Sequence, residues 1–79
     1  MRIDKYLKNS RLIIRRTIAS QMCDKGRVKI NDKQVKSGTQ VKSGDIIQIS
    51  FGEKITKVEV LELLEHATKE DATRMYKSL

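Results

Sequence analysis

The sequence predicts an α+β fold, with two N-terminal helices packed on a small antiparallel sheet and a short C-terminal helix. Apolar residues recur at helical spacing before Gly26 and at every second position after it, and this change of period separates helices from strands. The 79 residues include no proline, and nothing in them suggests a linker. A chain of this length forms one domain with a small core, which we place at residues 1–51 with an extension at residues 52–79.

Two helices are predicted before Gly26. The first runs from Asp4 to about Ser10, because a carboxylate near a helix start interacts favourably with the helix dipole. The second runs from about Ile14 to Lys25, and Gly26 ends it because glycine readily adopts the left-handed conformation. The apolar residues of the second helix should form one stripe, made of Ile14, Ile18, Ala19, Met22 and Cys23.

The strands are predicted after Gly26, where apolar and polar residues alternate. Asn31-Asp32 and Gly52-Glu53 have the composition of turns and separate paired strands. The tail from Thr68 to about Lys77 should be a helix, since Thr68 and Asp71 are spaced as in a capping box. The predicted strands are Val28–Ile30, a short return strand from Gln34-Val35, Ile46–Phe51 and Ile55–Leu61.

The charge of the chain is positive and one-sided. There are 17 Lys and Arg residues against 10 Asp and Glu, and the sequence pI is about 9.8. Residues 1–42 hold 12 basic and 3 acidic residues, a net of +9, whereas residues 43–79 hold 5 and 7, a net of −2. Such a one-sided field favours a polyanion as the partner, although charge alone also fits an ordinary solvated surface.

Catalytic and metal chemistry have little support. Cys23 is the only cysteine, so no internal disulfide can form, and a reducing cytoplasm is expected. One cysteine and the single histidine, His66, cannot supply a tetrahedral metal site. We therefore expect a non-enzymatic protein with no cofactor and no metal. No apolar run approaches the roughly 20 residues of a membrane span, so no membrane association is expected.

Basic side chains surround the first helix and the start of the second. Arg15 and Arg16 stand in the first turn of the second helix, where each cation opposes the helix dipole at a cost of roughly 0.3 kcal/mol or more. The N–H groups of that turn and two guanidinium groups suit a phosphate, although these arginines have Asp4 and Asp24 as alternative partners. The candidate RNA-binding residues of this region are Arg2, Lys5, Lys8, Arg11, Arg15 and Arg16.

A second basic group surrounds the predicted hairpin. It consists of Lys25, Arg27 and Lys29, with Lys33 nearby. Arg27 and Lys29 share the strand face opposite Val28 and Ile30, and we expect them to form a second wall of one RNA-binding groove. Tyr6 is the only aromatic residue in the basic half, so contact with backbone phosphates and RNA shape is favoured over base stacking.

Several segments together resemble a known family. They are Arg2-Ile3-Asp4-Lys5-Tyr6-Leu7, Arg16-Thr17-Ile18-Ala19, Gly26-Arg27-Val28-Lys29-Ile30-Asn31 and Gly44-Asp45-Ile46-Ile47. In order and spacing they resemble the RNA-binding domain named after small-subunit ribosomal protein four, the alpha-L fold. The connection at residues 8–16 and the tail at residues 70–76 are similar to the stand-alone bacterial branch, which includes the RqcP-like proteins and heat-shock protein fifteen. Asp32 replaces a glycine common in the family and leaves the turn type open.

The resemblance implies a role on the ribosome. RqcP-like proteins bind large ribosomal subunits that still carry peptidyl-tRNA, contacting large-subunit rRNA and the P-site tRNA. With RqcH, a factor of the NEMF type, they support addition of alanine to the stalled nascent chain. By the same resemblance Arg2 and Arg16 would contact RNA, Asp4 would orient an arginine or cap the helix, and Lys5, Lys8, Arg11 and Arg15 would add backbone contacts. We expect a monomer.

Other functions are compatible with the same sequence features. A general rRNA- or tRNA-binding factor of ribosome assembly would carry the same basic surface. A DNA-binding regulator would use a recognition helix, for which Arg15, Arg16 and Gln21 are available, but no dimer seam is visible. An enzyme is the least supported alternative, because no nucleophile, base or metal set can be named.

Overall fold

Three short helices and five strands make up the computed structural model, which describes residues 1–79. The helices are α1 (Ile3–Asn9), α2 (Arg16–Asp24) and α3 (Lys69–Ala72). The strands are β1 (Val28–Ile30), β2 (Lys33–Gln34), β3 (Ile46–Phe51), β4 (Lys54–Val60) and β5 (Tyr76–Ser78). These elements confirm the predicted α+β fold. The longest helix has nine residues, and none combines the length and apolar character that crossing a bilayer requires.

The strands form one antiparallel sheet in the order β2-β1-β3-β4-β5. Asn31 and Asp32 join β1 to β2 with φ angles of 50° and 68°, the left-handed values that a type I′ hairpin turn requires at both positions. The Asn31 side chain fixes this turn to β3, because its Nδ2 donates to Asp45 Oδ1 at 3.1 Å and its Oδ1 accepts from the Ile46 N–H at 2.9 Å. The structure thus settles the turn type that Asp32 left open.

The hydrophobic core lies between the helices and one face of the sheet. Helices α1 and α2 contribute Ile3, Tyr6, Leu7, Ala19 and Cys23, and the strands contribute Val28, Ile30, Ile47, Ile49, Val58 and Val60. Burying one large aliphatic side chain contributes about 1.5–3 kcal/mol. Met75, just before β5, is also fully buried, and its carbonyl oxygen accepts a 2.6 Å hydrogen bond from Tyr6 Oη. The core therefore joins residues from both parts of the chain.

Helix α2 differs from its prediction. It begins at Arg16 rather than Ile14, because Arg15 is extended and the preceding segment folds back, with the Ile13 N–H donating to the Leu7 carbonyl at 3.1 Å. Ile13 enters the core, and Ile14 is 80% exposed. The predicted apolar stripe is therefore wrong in part: the residues that α2 buries are the small ones, Ala19 and Cys23, which allow close packing against α1.

The tail also differs from its prediction. The capping box is present, since the Asp71 N–H donates to Thr68 Oγ1 at 3.1 Å and the Thr68 N–H donates to Asp71 Oδ2 at 3.3 Å. The helix nevertheless ends at Ala72, and Tyr76 and Lys77, which were predicted to be helical, belong instead to the edge strand β5. Burial of Met75 and pairing with the free edge of β4 outweigh continuation of the helix. Strands β2 and β4 each begin one residue earlier than predicted.

Candidate nucleic-acid interface

One buried carboxylate organises the basic residues near the N-terminus. Asp4, in the first turn of α1, has a side chain that is only 4% exposed. Its Oδ2 lies 3.1 Å from Arg2 Nη2, and its Oδ1 lies 3.4 Å from Arg16 Nη2. The same Oδ1 accepts a 2.7 Å hydrogen bond from the Lys5 backbone N–H. Asp4 therefore holds guanidinium groups from two separate elements and faces them rather than solvent.

Arg2 and Arg16 keep much of their surface accessible. Their side chains are 50% and 47% exposed, so each guanidinium group retains donors that face solvent. Arg2 also lies above Gly38, where an added Cβ would stand 3.9 Å from its Nη2. Two guanidinium groups and one carboxylate leave a net charge of +1. The arrangement presents two oriented forks of the kind that bind phosphate oxygens.

The N-terminus of α2 extends this basic surface. Arg15 occupies the N-cap in an extended conformation, no side chain caps the helix, and its first turn contains no acidic residue. The first N–H groups of a helix and its dipole favour an anion at this end. We call the surface formed by Arg2, Arg15 and Arg16 the arginine face. Arg11, in the loop between the helices, is exposed and has a left-handed φ of 63°.

Asp24 is engaged elsewhere. Its Oδ1 accepts a 3.0 Å hydrogen bond from the Ser37 N–H, and its main-chain carbonyl lies 3.5 Å from Lys36 Nζ. Of the two acidic partners considered for Arg15 and Arg16, Asp4 contacts Arg16, and neither carboxylate forms an ion pair with Arg15. The loop that contains Ser37 is also tied to α1, because the Ile3 N–H donates to the Thr39 carbonyl at 2.7 Å. Lys36, an exposed cation of this loop, was missed; its only sequence signal was its place in the basic half.

Lys5 is committed to an internal ion pair. Its ammonium group contacts the Glu65 carboxylate, and this contact holds the pKa of Glu65 below its ordinary value. Asn9 Nδ2 reinforces the same junction by donating to the carbonyls of Leu64 and Glu65, both at 3.0 Å. The charge of Lys5 is thus locally neutralised. Lys8, one turn further along α1, remains exposed.

Arg27 and Lys29 lie on the other side of the sheet. Val28 and Ile30 point into the core, so alternation along β1 directs Lys29 away from the helices. Lys29 is in register with Gln48 of β3, and Gln48 with Lys57 of β4. We call this surface, with Arg27, Lys29, Lys57 and Lys77, the outer sheet face. The expectation that Arg27 and Lys29 form a second wall of one groove is wrong, because the sheet separates them from the arginine face.

The remaining candidates occupy other positions. Lys25 is exposed at the far end of α2, about 14 Å along the helix from Arg16. Tyr6 is fully buried, so it offers no stacking surface. Burial raises the pKa of the Cys23 thiol to about 11, which keeps it protonated at neutral pH and unsuited to act as a nucleophile. His66 is exposed on a different segment.

Comparison with known proteins defines the class of the chain. The S4 domain family matches residues 1–47, which include α1, α2 and the first hairpin. The trimeric structure of Vibrio cholerae Heat Shock Protein 15 has the same fold, with a TM-score of 0.91 over 100% of this chain and 81% of that one, at 22% identity. The solution structure of a hypothetical protein, HP1423, matches with a TM-score of 0.85 and 31% identity, covering 100% and 96%. The chain is an S4-domain protein.

Curated relatives narrow the class further. A protein of Listeria monocytogenes is 54% identical over 76 residues, which cover 96% of this chain and 83% of the relative. One of Bacillus subtilis is 49% identical over 76 residues, covering 96% and 88%. Both carry the name RQC P-site tRNA stabilizing factor. The chain belongs to the family of RQC P-site tRNA stabilizing factors.

Proposed function

We propose that the chain is a non-enzymatic RNA-binding factor of ribosome-associated quality control, holding P-site tRNA and large-subunit rRNA on obstructed large ribosomal subunits. The observation that carries this proposal is the buried Asp4 carboxylate, which orients Arg2 and Arg16 within the segment that matches the S4 domain. The names of the relatives support the tRNA-binding part of the proposal.

The arginine face suits RNA because its donors are already positioned. Two free arginine side chains would lose rotamer freedom on binding, at about 0.5–1.5 kcal/mol for each immobilised side chain. The Asp4 contacts have restricted Arg2 and Arg16 before RNA arrives, so less entropy is lost on binding. Bidentate contacts to phosphate oxygens then follow the backbone of an RNA helix without selecting a base sequence.

Two separated basic faces suit two RNA elements. In this proposal the arginine face binds one element, with Arg11 and Lys8 adding backbone contacts around it. Arg27 and Lys29 on the outer sheet face contact a second element, and Lys25 lies at the far end of α2. Lys5 contributes less to RNA binding than its charge suggests, because Glu65 neutralises it. Such a two-sided surface would allow one factor to contact rRNA and tRNA at the same time.

The proposed role is mechanical rather than chemical. Holding the P-site tRNA keeps the nascent chain in place while an RqcH-like factor of the NEMF type supports alanine addition. A holding role requires no nucleophile, no cofactor and no metal. In this role the protein acts as a monomer in the cytoplasm.

The test is sucrose-gradient sedimentation of the tagged protein, followed by probing each fraction for large-subunit rRNA, peptidyl-tRNA and an RqcH-like factor. The protein should sediment with free large subunits that carry peptidyl-tRNA, and the variant Arg16→Ala should leave that fraction. Lys77→Ala, on edge strand β5 and in register with Glu59, is the control and should stay. Enrichment on precursor particles without peptidyl-tRNA would instead support an assembly factor.

A further inference from the structure

An apolar depression beside the arginine face is not explained by RNA binding. It is lined by Leu12, Ile13, Ile14, Arg15, Ile18 and Phe51. Among them Ile14 is 80% exposed, Ile18 42% and Phe51 40%. An isoleucine exposed to this extent adds little to the core, and contiguous exposed apolar side chains mark interaction sites more often than single ones do.

The fold itself directs these side chains outward. Arg15 is extended between the loop and α2, which turns Ile14 away from the core while Ile13 enters it. Ile18 lies on the face of α2 that does not pack against α1, since the buried residues of that helix are Ala19 and Cys23. Phe51, the last residue of β3, completes the depression from the sheet side.

The charges around the depression are mainly positive. Residues 11–18 contain three arginines and no carboxylate, and Arg15 lines the depression directly. On the sheet side, the turn after Phe51 brings one acid, Glu53, followed by a cation, Lys54. An apolar floor with an excess of cations at its edge complements a ligand that is apolar on one side and acidic on the other.

Three kinds of occupant can be compared on these grounds. A second copy of the chain would bring its own arginines against Arg15 and Arg16, and like charges oppose such a contact. An RNA base would find one ring to stack on, Phe51, but its polar edge would meet only Arg15, because five of the six lining residues are apolar. An amphipathic helix with acidic side chains satisfies both the apolar floor and the cationic edge.

We propose that this depression docks an acidic amphipathic helix of a protein partner. Apolar side chains of the helix at positions i, i+3 or i+4, and i+7 lie among Ile14, Ile18 and Phe51, and its carboxylates pair with Arg15. The depression does not include Arg2, Asp4 or Arg16 and shares only Arg15 with the arginine face, so the RNA site and the partner site adjoin at Arg15.

The probe is a synthetic peptide of about 18 residues, with leucine at i, i+4 and i+7, glutamate at the positions that flank this apolar stripe, and alanine elsewhere to favour the helix. One comparison peptide carries lysine for every glutamate, and another has the same composition in scrambled order. Binding to the whole chain is measured by fluorescence anisotropy and by methyl NMR. The glutamate peptide should shift the methyl signals of Leu12, Ile14 and Ile18 saturably, and both comparison peptides should bind at least about tenfold more weakly.

A matched pair of variants tests the surface. Ile14→Ser should weaken the glutamate peptide about tenfold, because a buried contact of this size is lost, and Ile55→Ser should not change it. Ile55 is 57% exposed and belongs to β4. Both residues are largely exposed, so thermal unfolding should show both variants folded. Equal binding of the two charged peptides, or an unchanged affinity in Ile14→Ser, would overturn the proposal.

Two further outcomes would also overturn the proposal that the depression docks an acidic helix. If a structured RNA hairpin shifted the Ile14 methyl signal and Ile14→Ser weakened that RNA, the depression would be an RNA contact. If the Ile14 signal moved with protein concentration alone, the surface would join two copies of the chain. Failure of the proposed RNA role is distinguishable, because Arg16→Ala would then retain large-subunit binding whatever the peptide does.

Discussion

The two basic faces of the molecule differ in how firmly their cations are held. On the arginine face, one buried carboxylate contacts both Arg2 and Arg16 and fixes their directions. On the outer sheet face, Lys29 and Lys57 stand on either side of Gln48 without a carboxylate partner, so only the strand register places them. The number of basic residues alone does not distinguish these two faces. We therefore expect the fixed cations to contribute most of the affinity for RNA and the unfixed ones to contribute general electrostatic attraction.

The largest loss of ribosome binding should come from a substitution on the arginine face. Arg16→Ala should weaken binding to large ribosomal subunits by about 1–3 kcal/mol, because a charge-assisted contact to phosphate is removed. Affinity is measured by cosedimentation at fixed salt, with circular dichroism to confirm folding. Unchanged binding by a folded variant would show that the RNA-contacting surface lies elsewhere.

The Asp4 carboxylate should affect ribosome binding by orienting Arg2 and Arg16. Asp4→Asn should weaken the same binding by about 0.5–1.5 kcal/mol, since the arginines remain but are less well oriented. A double-mutant cycle separates this effect from a general loss of stability: in the Arg16→Ala background, Asp4→Asn should have a smaller effect than in the wild type. Additive effects would mean that Asp4 does not orient Arg16.

The outer sheet face should contribute weakly and through charge alone. Lys29→Ala should reduce the dependence of log affinity on log salt by about 1 and lower affinity by less than about 1 kcal/mol. The measurement is affinity for the large subunit over a range of salt concentrations. Lys77→Ala, on the same face but in register with Glu59, is the matched control and should change affinity by less than about 0.5 kcal/mol. An equal effect of both variants would remove any role specific to Lys29.

The smallest predicted effect is on the free energy of unfolding and concerns the ion pair between Lys5 and Glu65. Contact with Lys5 lowers the pKa of Glu65 from its ordinary value of 4.5, so this pair stabilises the fold above pH 4.5 and ceases to do so as the pH falls through the lowered pKa. The free energy of unfolding should therefore fall more steeply below pH 4.5 in the wild type than in Glu65→Gln. Urea unfolding between pH 6 and pH 3 measures this, and parallel curves would contradict it.

Local signals in the sequence predicted much of the fold. The period-two alternation at Val28–Ile30 and Ile46–Phe51 gave these strands their observed bounds. The Thr68–Asp71 capping box predicted the start of α3 but carried no information about its end, which depends on burial of Met75 and on the free edge of β4. Such pairing partners are distant in sequence, and a local pattern does not contain them.

The candidate site was predictable to a similar extent. Spacing and resemblance singled out Arg2, Asp4 and Arg16, and the structure brings these three together. The ion pair between Lys5 and Glu65 was not foreseen, because it joins residues 60 positions apart. The separation of Arg27 from the arginines was not foreseen either, since strand alternation shows which residues share a face but not which face the helices cover.

The hydrogen bond from Tyr6 to Met75 has a consequence for how the protein is made. It spans 69 positions, and the core around it also requires strand β4. Contacts so distant in sequence are formed late, because a long loop must be closed before they are gained. A nascent chain that has not yet produced β4 and Met75 exposes the apolar side of α1, so its N-terminal arginines should become competent for RNA only after these residues have been made.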